Sequence, residues 1–263
     1  MTYRSALVTG ASSGIGAAIA AELPAETGLV LTGQDQARLE AVKASLPTDA
    51  RTVESVVANL AEDSGRNAVI ERARAAAIDL LVCNAGLGRL GRVVDNKFET
   101  ERQMVEVNVV ATVVLTRALL PGMIERARED GRRAGVIIVS SVAGFLTLPY
   151  FATYSASKAF DLHYAEALAG ELAQEPVDVL ALCPGATKTA FGERAGMPSK
   201  LFDRADTATR VAREALAALG RRTVHVVGAG NRLNTIAPRL LPRNVVTKGA
   251  ARMLRHLSRA AKP

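Results

Sequence analysis

The chain has 263 residues, 49% of them hydrophobic and 22% charged, with a formal net charge of +7. That length and apolar share suit one large α/β domain or two small ones, while two cysteines are too few for a disulfide scaffold. No apolar run approaches the roughly 18–20 residues of a membrane-spanning helix, and Met1-Thr2-Tyr3-Arg4 leads into a strand pattern, not a secretory leader.

The expected location is therefore cytoplasmic. Cys83 and Cys183 sit in apolar segments without a Cys-x-x-Cys or histidine partner, so they read as buried thiols and not as metal ligands. The charge is uneven. Ten of the 33 Lys and Arg lie in residues 215–263, after the last acidic residue, Glu214, which leaves 23 basic against 26 acidic residues before them.

In chain order, Ser5–Thr9 reads as a strand and Ile15–Leu23 as the helix after a glycine turn. Strands follow at Gly28–Thr32, Thr52–Val57, Asp79–Cys83, Gly135–Ser140, Val177–Leu182 and Thr223–Val227. Helical patterns separate them over about 35–45, 62–77, 98–128 and 154–174. Continuous apolar strands alternating with helices predict a doubly wound Rossmann-type α/β fold, a seven-stranded parallel sheet with helices on both faces. No linker or repeat divides the chain, so one domain over 1–263 is expected. Residues 187–207, with Gly192, Gly196 and Pro198, read as a mobile substrate-loop insertion.

Two groups of residues carry chemistry. Thr9-Gly10-Ala11-Ser12-Ser13-Gly14-Ile15-Gly16 lies between a strand and a helix, where glycines let backbone approach a pyrophosphate at the positive helix end. The same stretch contains Gly-x-Ser-x-Gly, the nucleophile elbow of hydrolases, but the elbow needs a later acid and histidine in a loop setting that His163, His225 and His256 do not supply. Further along, Tyr154 and Lys158 stand one helical turn apart. An ammonium on the same helix face favours phenolate and draws a tyrosine toward useful general acid/base behaviour. Ser141, just past a strand end, is placed to hold a substrate oxygen.

Taken together, these motifs resemble the short-chain dehydrogenase/reductase family from Thr9 to about Gly228. Asn84-Ala85-Gly86, Asn108, Pro184-Gly185 and Thr189 extend the resemblance, while Cys83 departs from the asparagine common there. The resemblance implies an enzyme that interconverts a carbonyl and a secondary alcohol with NAD(P). It implies a catalytic set of Asn108, Ser141, Tyr154 and Lys158, with Tyr154 as acid/base, Ser141 orienting the substrate, Lys158 lowering the tyrosine pKa and Asn108 holding a relay water. It implies a cofactor site at Gly10, Ser12, Ser13, Gly14, Ile15, Gly16, Gln34, Asn59, Leu60, Asn84, Ala85, Gly86, Tyr154, Lys158, Pro184, Gly185, Thr187 and Thr189. Homodimers or homotetramers are usual in this branch. A non-catalytic NAD(P)-sensing regulator, or an epimerase or dehydratase on the same fold, are the alternatives.

Gly33 stands where an NAD-selecting Asp is expected and Gln34 where NADP-preferring relatives carry Arg, so the chain follows neither pattern. Absence of the acid, together with donors on Ser12, Ser13 and Gln34 and with Arg38 nearby, favours NADP(H); Asn59 is expected to face the adenine. Phe145, Leu146, Leu148, Phe151, Phe191, Met197, Leu201 and Phe202 would border the crevice and suit a lipophilic substrate. The basic segment over about 234–263 has helical apolar spacing at Val245, Val246, Ala250, Met253, Leu254 and Leu257, with Pro242 at its start. It reads as a subunit-packing or solvated helix, or as one lying on an anionic membrane surface; nucleic acid is disfavoured for want of an aromatic platform.

Overall fold

A computed structural model describes residues 3–236 and 241–260. Seven strands, β1 (Ser5–Thr9), β2 (Gly28–Gly33), β3 (Val53–Val57), β4 (Leu80–Cys83), β5 (Ala134–Val139), β6 (Val177–Cys183) and β9 (Val224–Val226), form one sheet in the order β3-β2-β1-β4-β5-β6-β9. Every pairing is parallel, with Val8 beside Leu31 and Val82, and Ile138 beside Cys83 and Ala181. The strand order reverses between β1 and β4, which opens the crevice where ligands bind in such sheets.

The strands are apolar along their length because helices cover both faces. One face packs Leu7, Val30, Leu81, Val136 and Ile138 against α3 (Asp63–Ala75), α5 (Ala111–Glu129) and α6 (Ala152–Glu171). The other packs Val8, Leu29, Leu31, Val82 and Ile137 against α1 (Gly14–Glu22), α2 (Gln36–Ser45) and α8 (Ala208–Ala218). Cys83 and Cys183 are buried free thiols, as expected.

The helix expected over 98–128 is present, but its turn widens in the middle. α4 (Phe98–Val105) passes through a π-helical turn, Glu106–Val110, into α5. Residues Phe98–Glu129 also include an 18-residue window of mean hydropathy 1.7, apolar enough to cross a membrane by length and composition; half of it is buried within the protein.

Two elements have no counterpart among those expected from the sequence. α8 buries Val211, Ala212, Ala215 and Ala218, and Thr207 caps it by accepting from the Arg210 N–H at 3.2 Å. The apolar Val211, Ala212, Ala215 and Ala218 alternate at helical spacing with Arg210, Arg213 and Glu214, so the segment carried a helix signal that the sequence reading passed over. α9 (Ala229–Ile236) is the other. Residues 187–207 hold definite structure in place of a bare loop: β7 (Thr187–Lys188) pairs with β8 (Asp206–Thr207) around α7 (Phe191–Arg194) and a 3-10 turn, Ser199–Phe202. The basic tail forms α10 (Arg243–Ala260); Arg239 and Lys262 lie outside the described residues.

Candidate active site

The C-terminal ends of β1, β4, β5 and β6 open into a cavity of about 660 Å³. Its floor is built by backbone close approach. Gly10 and Gly14 have φ of +63° and +62°, a conformation that side chains disfavour. A Cβ on Gly10 would come within 2.9 Å of the Ala85 Cα, and one on Gly14 within 2.9 Å of the Thr189 Cγ2. The Asn84 side chain braces this turn, donating to the carbonyls of Thr9 at 2.8 Å and Gly10 at 3.2 Å. The Thr9 hydroxyl in turn accepts from the Asn84 and Ala85 N–H groups, both at 2.9 Å. Ser13 takes the N-cap position of α1 without a side-chain cap bond, and Ser12, Ser13, Gly14 and Ile15 line the cavity.

Opposite this cradle stands the tyrosine. Tyr154 is buried between Phe151 and Phe191, with ring centroids 4.3 and 5.3 Å away. Ser141 lines the same cavity, its hydroxyl accepting from the Ala143 N–H at 3.1 Å and donating to the Pro184 carbonyl at 3.5 Å. Lys158 lies one turn on, its ammonium donating to the Val139 carbonyl at 2.8 Å and to Asp161 Oδ2 at 2.9 Å. The Ser140 hydroxyl fixes the helix to the strand end by donating to the Lys158 carbonyl at 2.6 Å.

Burial pushes the Tyr154 pKa up, and it stays raised even though the Lys158 charge and the Ser141 hydroxyl pull it down. The expected downward pull of Lys158 is therefore real but outweighed in this desolvated pocket. Burial also opposes the charge on Lys158, but the Asp161 carboxylate and Tyr154 outweigh it and its pKa is raised.

Most of the expected site residues meet in this cavity: Gly10, Ser12, Ser13, Gly14, Ile15, Gln34, Leu60, Asn84, Ala85, Gly86, Ser141, Tyr154, Lys158, Pro184, Gly185, Thr187 and Thr189 all line it. Three do not. Gly16 packs beneath, where a Cβ would meet the Asn84 side chain and the Gly10 carbonyl at 2.5 Å. Asn59 lies behind Gln34: its Oδ1 accepts from Gln34 at 2.7 Å and from the Ala61 N–H at 3.1 Å, and its Nδ2 donates to Glu62 at 2.7 Å. Asn108 is fully buried in the π turn, donating to the Leu87 carbonyl at 3.0 Å and Ser157 at 2.9 Å and accepting from the Leu87 N–H at 2.8 Å. Its side chain holds the loop after β4, with both amide donors used and one acceptor site of Oδ1 taken by Leu87.

Near Gln34, Arg38 lines the cavity and pairs with Asp35 at 3.2 Å. At the other end, Leu146, Leu148, Phe151, Phe191, Met197, Leu201 and Phe202 form an apolar wall as expected, whereas Phe145 packs into the main core instead. Sequence reasoning missed the contribution of α10. Met253, Leu254 and Leu257 complete the wall, and the helix is tied down by Arg255 donating to the Tyr150 hydroxyl at 3.0 Å and by a Thr147–Thr247 hydroxyl pair at 2.6 Å. The apolar stripe thus meets the chain's own site. Val245 and Met253 remain exposed.

Comparison with known proteins agrees with this geometry. The short chain dehydrogenase family model matches residues 4–198. Dehydrogenase/reductase SDR family member 7B of Xenopus laevis is 30% identical over 257 residues, covering 89% of this chain and 78% of that protein. A short-chain dehydrogenase from Sphingobium yanoikuyae in complex with NADPH superposes with a TM-score of 0.76 at 30% identity, covering 90% of this chain and 93% of that one. The 3-ketoacyl-(acyl-carrier-protein) reductase from Brucella melitensis, complexed with NADH, gives 0.76 at 26% identity over 87% of this chain and 98% of that one. With its parallel sheet, glycine cradle and Tyr-x3-Lys helix, this chain belongs to the short-chain dehydrogenase family of oxidoreductases.

Proposed function

We propose that this protein is a nicotinamide-dependent oxidoreductase that interconverts a carbonyl and an alcohol on a lipophilic small molecule. The observation that carries the reading is the continuity of one cavity, from the Gly10–Gly14 cradle, past Tyr154 and Ser141, to the wall of Phe151, Phe191 and Leu254. The cradle fits a dinucleotide because Gly10 and Gly14, free of side chains, let the turn close against Ala85 and Thr189 at the start of α1, where a pyrophosphate meets backbone and the positive helix end. When bound, the nicotinamide supplies or accepts the hydride. The chain supplies the rest. Ser141 holds the substrate oxygen, Tyr154 gives or takes its proton, and Lys158 keeps a positive charge beside that exchange. The apolar wall and α10 keep water from the reacting carbon.

NADP(H) is favoured over NAD(H), because Gly33 leaves no carboxylate at the end of β2 and Arg38 reaches the same end of the cavity. Fluorescence titration with NADPH and NADH tests this. NADPH binding at least about tenfold tighter, roughly 1.4 kcal/mol, is the expected result; tighter NADH binding overturns the preference, and binding of neither overturns the enzyme reading.

Three readings concern the protein's surroundings. A cytoplasmic setting accords with two free buried thiols. A homo-oligomer is favoured by exposed Phe98 and Val105 on α4 and by exposed Phe160 stacked on Tyr164 in α6. Peripheral contact of the tail with anionic membrane is favoured by exposed Leu233, Ile236, Leu241 and Met253 interspersed with Arg232, Lys248 and Arg252, with no acidic residue after Glu214. Co-sedimentation with anionic vesicles at low salt, lost at high salt, is expected; no binding removes the idea.

A further inference from the structure

Asp161 lies three residues after Lys158 on α6 and is buried on the same face, with its side chain 2% exposed. Its Oδ2 accepts from the Lys158 ammonium at 2.9 Å, and its Oδ1 has no hydrogen-bond partner among the described residues. A buried carboxylate with one oxygen unpartnered has its charge balanced by a single cation, here the one that serves Tyr154. Such a pair is costly to bury and weak as a source of stability, so stability alone does not account for it. We propose that Asp161 is a positioning residue that anchors the Lys158 ammonium and, by offsetting its charge, sets the pH at which Tyr154 exchanges its proton.

The surroundings leave this role to the pair. α6 contributes Tyr154, Lys158 and Asp161, with Tyr164 a turn further on. From the sheet, β4 presents Cys83 and β6 presents Cys183, both thiols pushed up by burial to about 12 and so neutral near neutral pH. β5 offers the Val139 carbonyl, and the helix running through Asn108 contributes the uncharged, buried Asn108, Thr112 and Thr116. The field at the tyrosine therefore comes from one close pair, in which burial pushes the Asp161 carboxyl up and the Lys158 ammonium beside it pulls it back. The two act in opposite senses, the Lys158 charge favouring phenolate and the Asp161 charge opposing it.

This inference rests on the proposed reading only for the use to which Tyr154 is put, and a measurement independent of turnover separates the two. Ultraviolet difference titration against Tyr154→Phe reads the phenolate of Tyr154 directly. Asp161→Asn keeps an oxygen for Lys158 and removes the charge, and Asp161→Ser is a second neutral variant should the first not fold. Each is expected to lower the phenolate midpoint by about one pH unit. The acid limb of the kcat/KM profile for alcohol oxidation is expected to move the same way. An unchanged or raised midpoint in a folded variant overturns the role of Asp161, whatever the protein turns over. A lowered midpoint without turnover of any alcohol or ketone supports Asp161 and overturns the proposed function instead.

Discussion

Tyr154 presents one phenol to the cavity, held between two aromatic rings and beside Ser141 in the lining. Its burial keeps it protonated near neutrality, which suits proton donation to a forming alkoxide and makes oxidation the base-demanding direction. Tyr154→Phe keeps the ring packing and removes the proton. We expect kcat to fall by about 10²–10⁴-fold, with NADPH affinity nearly unchanged; retention of more than about a tenth of the rate would remove Tyr154 from the role. Alcohol oxidation is accordingly expected to rise with pH across the neutral range and reduction to fall at alkaline pH. Opposite slopes would be incompatible with a single raised tyrosine. At the other end of the cavity, Arg38→Ala is expected to weaken NADPH binding by about three- to tenfold while leaving NADH unaffected. That range reflects an exposed guanidinium already sharing its charge with Asp35. Equal effects on both nucleotides would make Arg38 an ordinary surface residue.

That Ser141, Tyr154 and Lys158 meet in one cavity was legible because their spacing along strand end and helix is itself the geometry. The bond between Asn59 and Gln34 was not, since it joins the loop after β3 to the end of β2, a contact that no local pattern contains. Asp161 had a signal that went unread. It falls on the same helix face as Lys158, Leu162, Ala165 and Leu168, all buried, where an unpaired acid would be untenable.

Among the elements, α8 was not read from the sequence although its neighbour β9 was, and their junction has its own electrostatics. Glu214 on α8 accepts from Arg210 at 2.9 Å and joins His225 of β9 at 2.8 Å, fastening helix to edge strand. Burial works against the Glu214 charge, but the hydrogen bonds from His225 and Arg210 outweigh it and hold its pKa below the usual carboxylate value. A depressed folded pKa means the stabilisation is complete above the ordinary Glu value of about 4.3 and is lost as pH falls through the folded value. Glu214→Gln is expected to lose about 1 kcal/mol at neutral pH, a drop in Tm of about 2–4 °C. The deficit relative to the unaltered protein should shrink as the medium is acidified. A deficit constant down to strongly acid pH would show that Glu214 acts by packing alone. The alternation of strands and helices made the sheet predictable, whereas α10 was read as amphipathic without any sign of what it covers. Which surface receives an apolar stripe depends on where the chain has returned to, here the wall beside Phe151 and Tyr154.

For the whole molecule, the two charge regimes of the sequence become two regions of one surface. The acidic and basic residues before Glu214 largely pair with one another, as in Arg128–Glu175 and Arg133–Asp178, while the tail has cations and no acids. Self-association and adsorption to an anionic surface therefore respond differently to salt. Sedimentation velocity is expected to show an oligomer through Phe98 and Phe160 that persists at high salt, and Phe98→Glu is expected to weaken it. A salt-labile oligomer would move the contact to the tail.

The widened turn at Glu106–Val110 has a consequence for the long helix on either side of it. Each residue advances an ordinary helix by about 100°, so α4 and α5 are out of phase by the residue the turn takes up. With that offset Asn108 meets the loop after β4 while Leu115, Leu119 and Met123 still meet the sheet. Removing a single residue there would let the hydrogen bonds close into a better helix. The local structure would gain regularity, and the protein would have to choose between its core and its reaction centre.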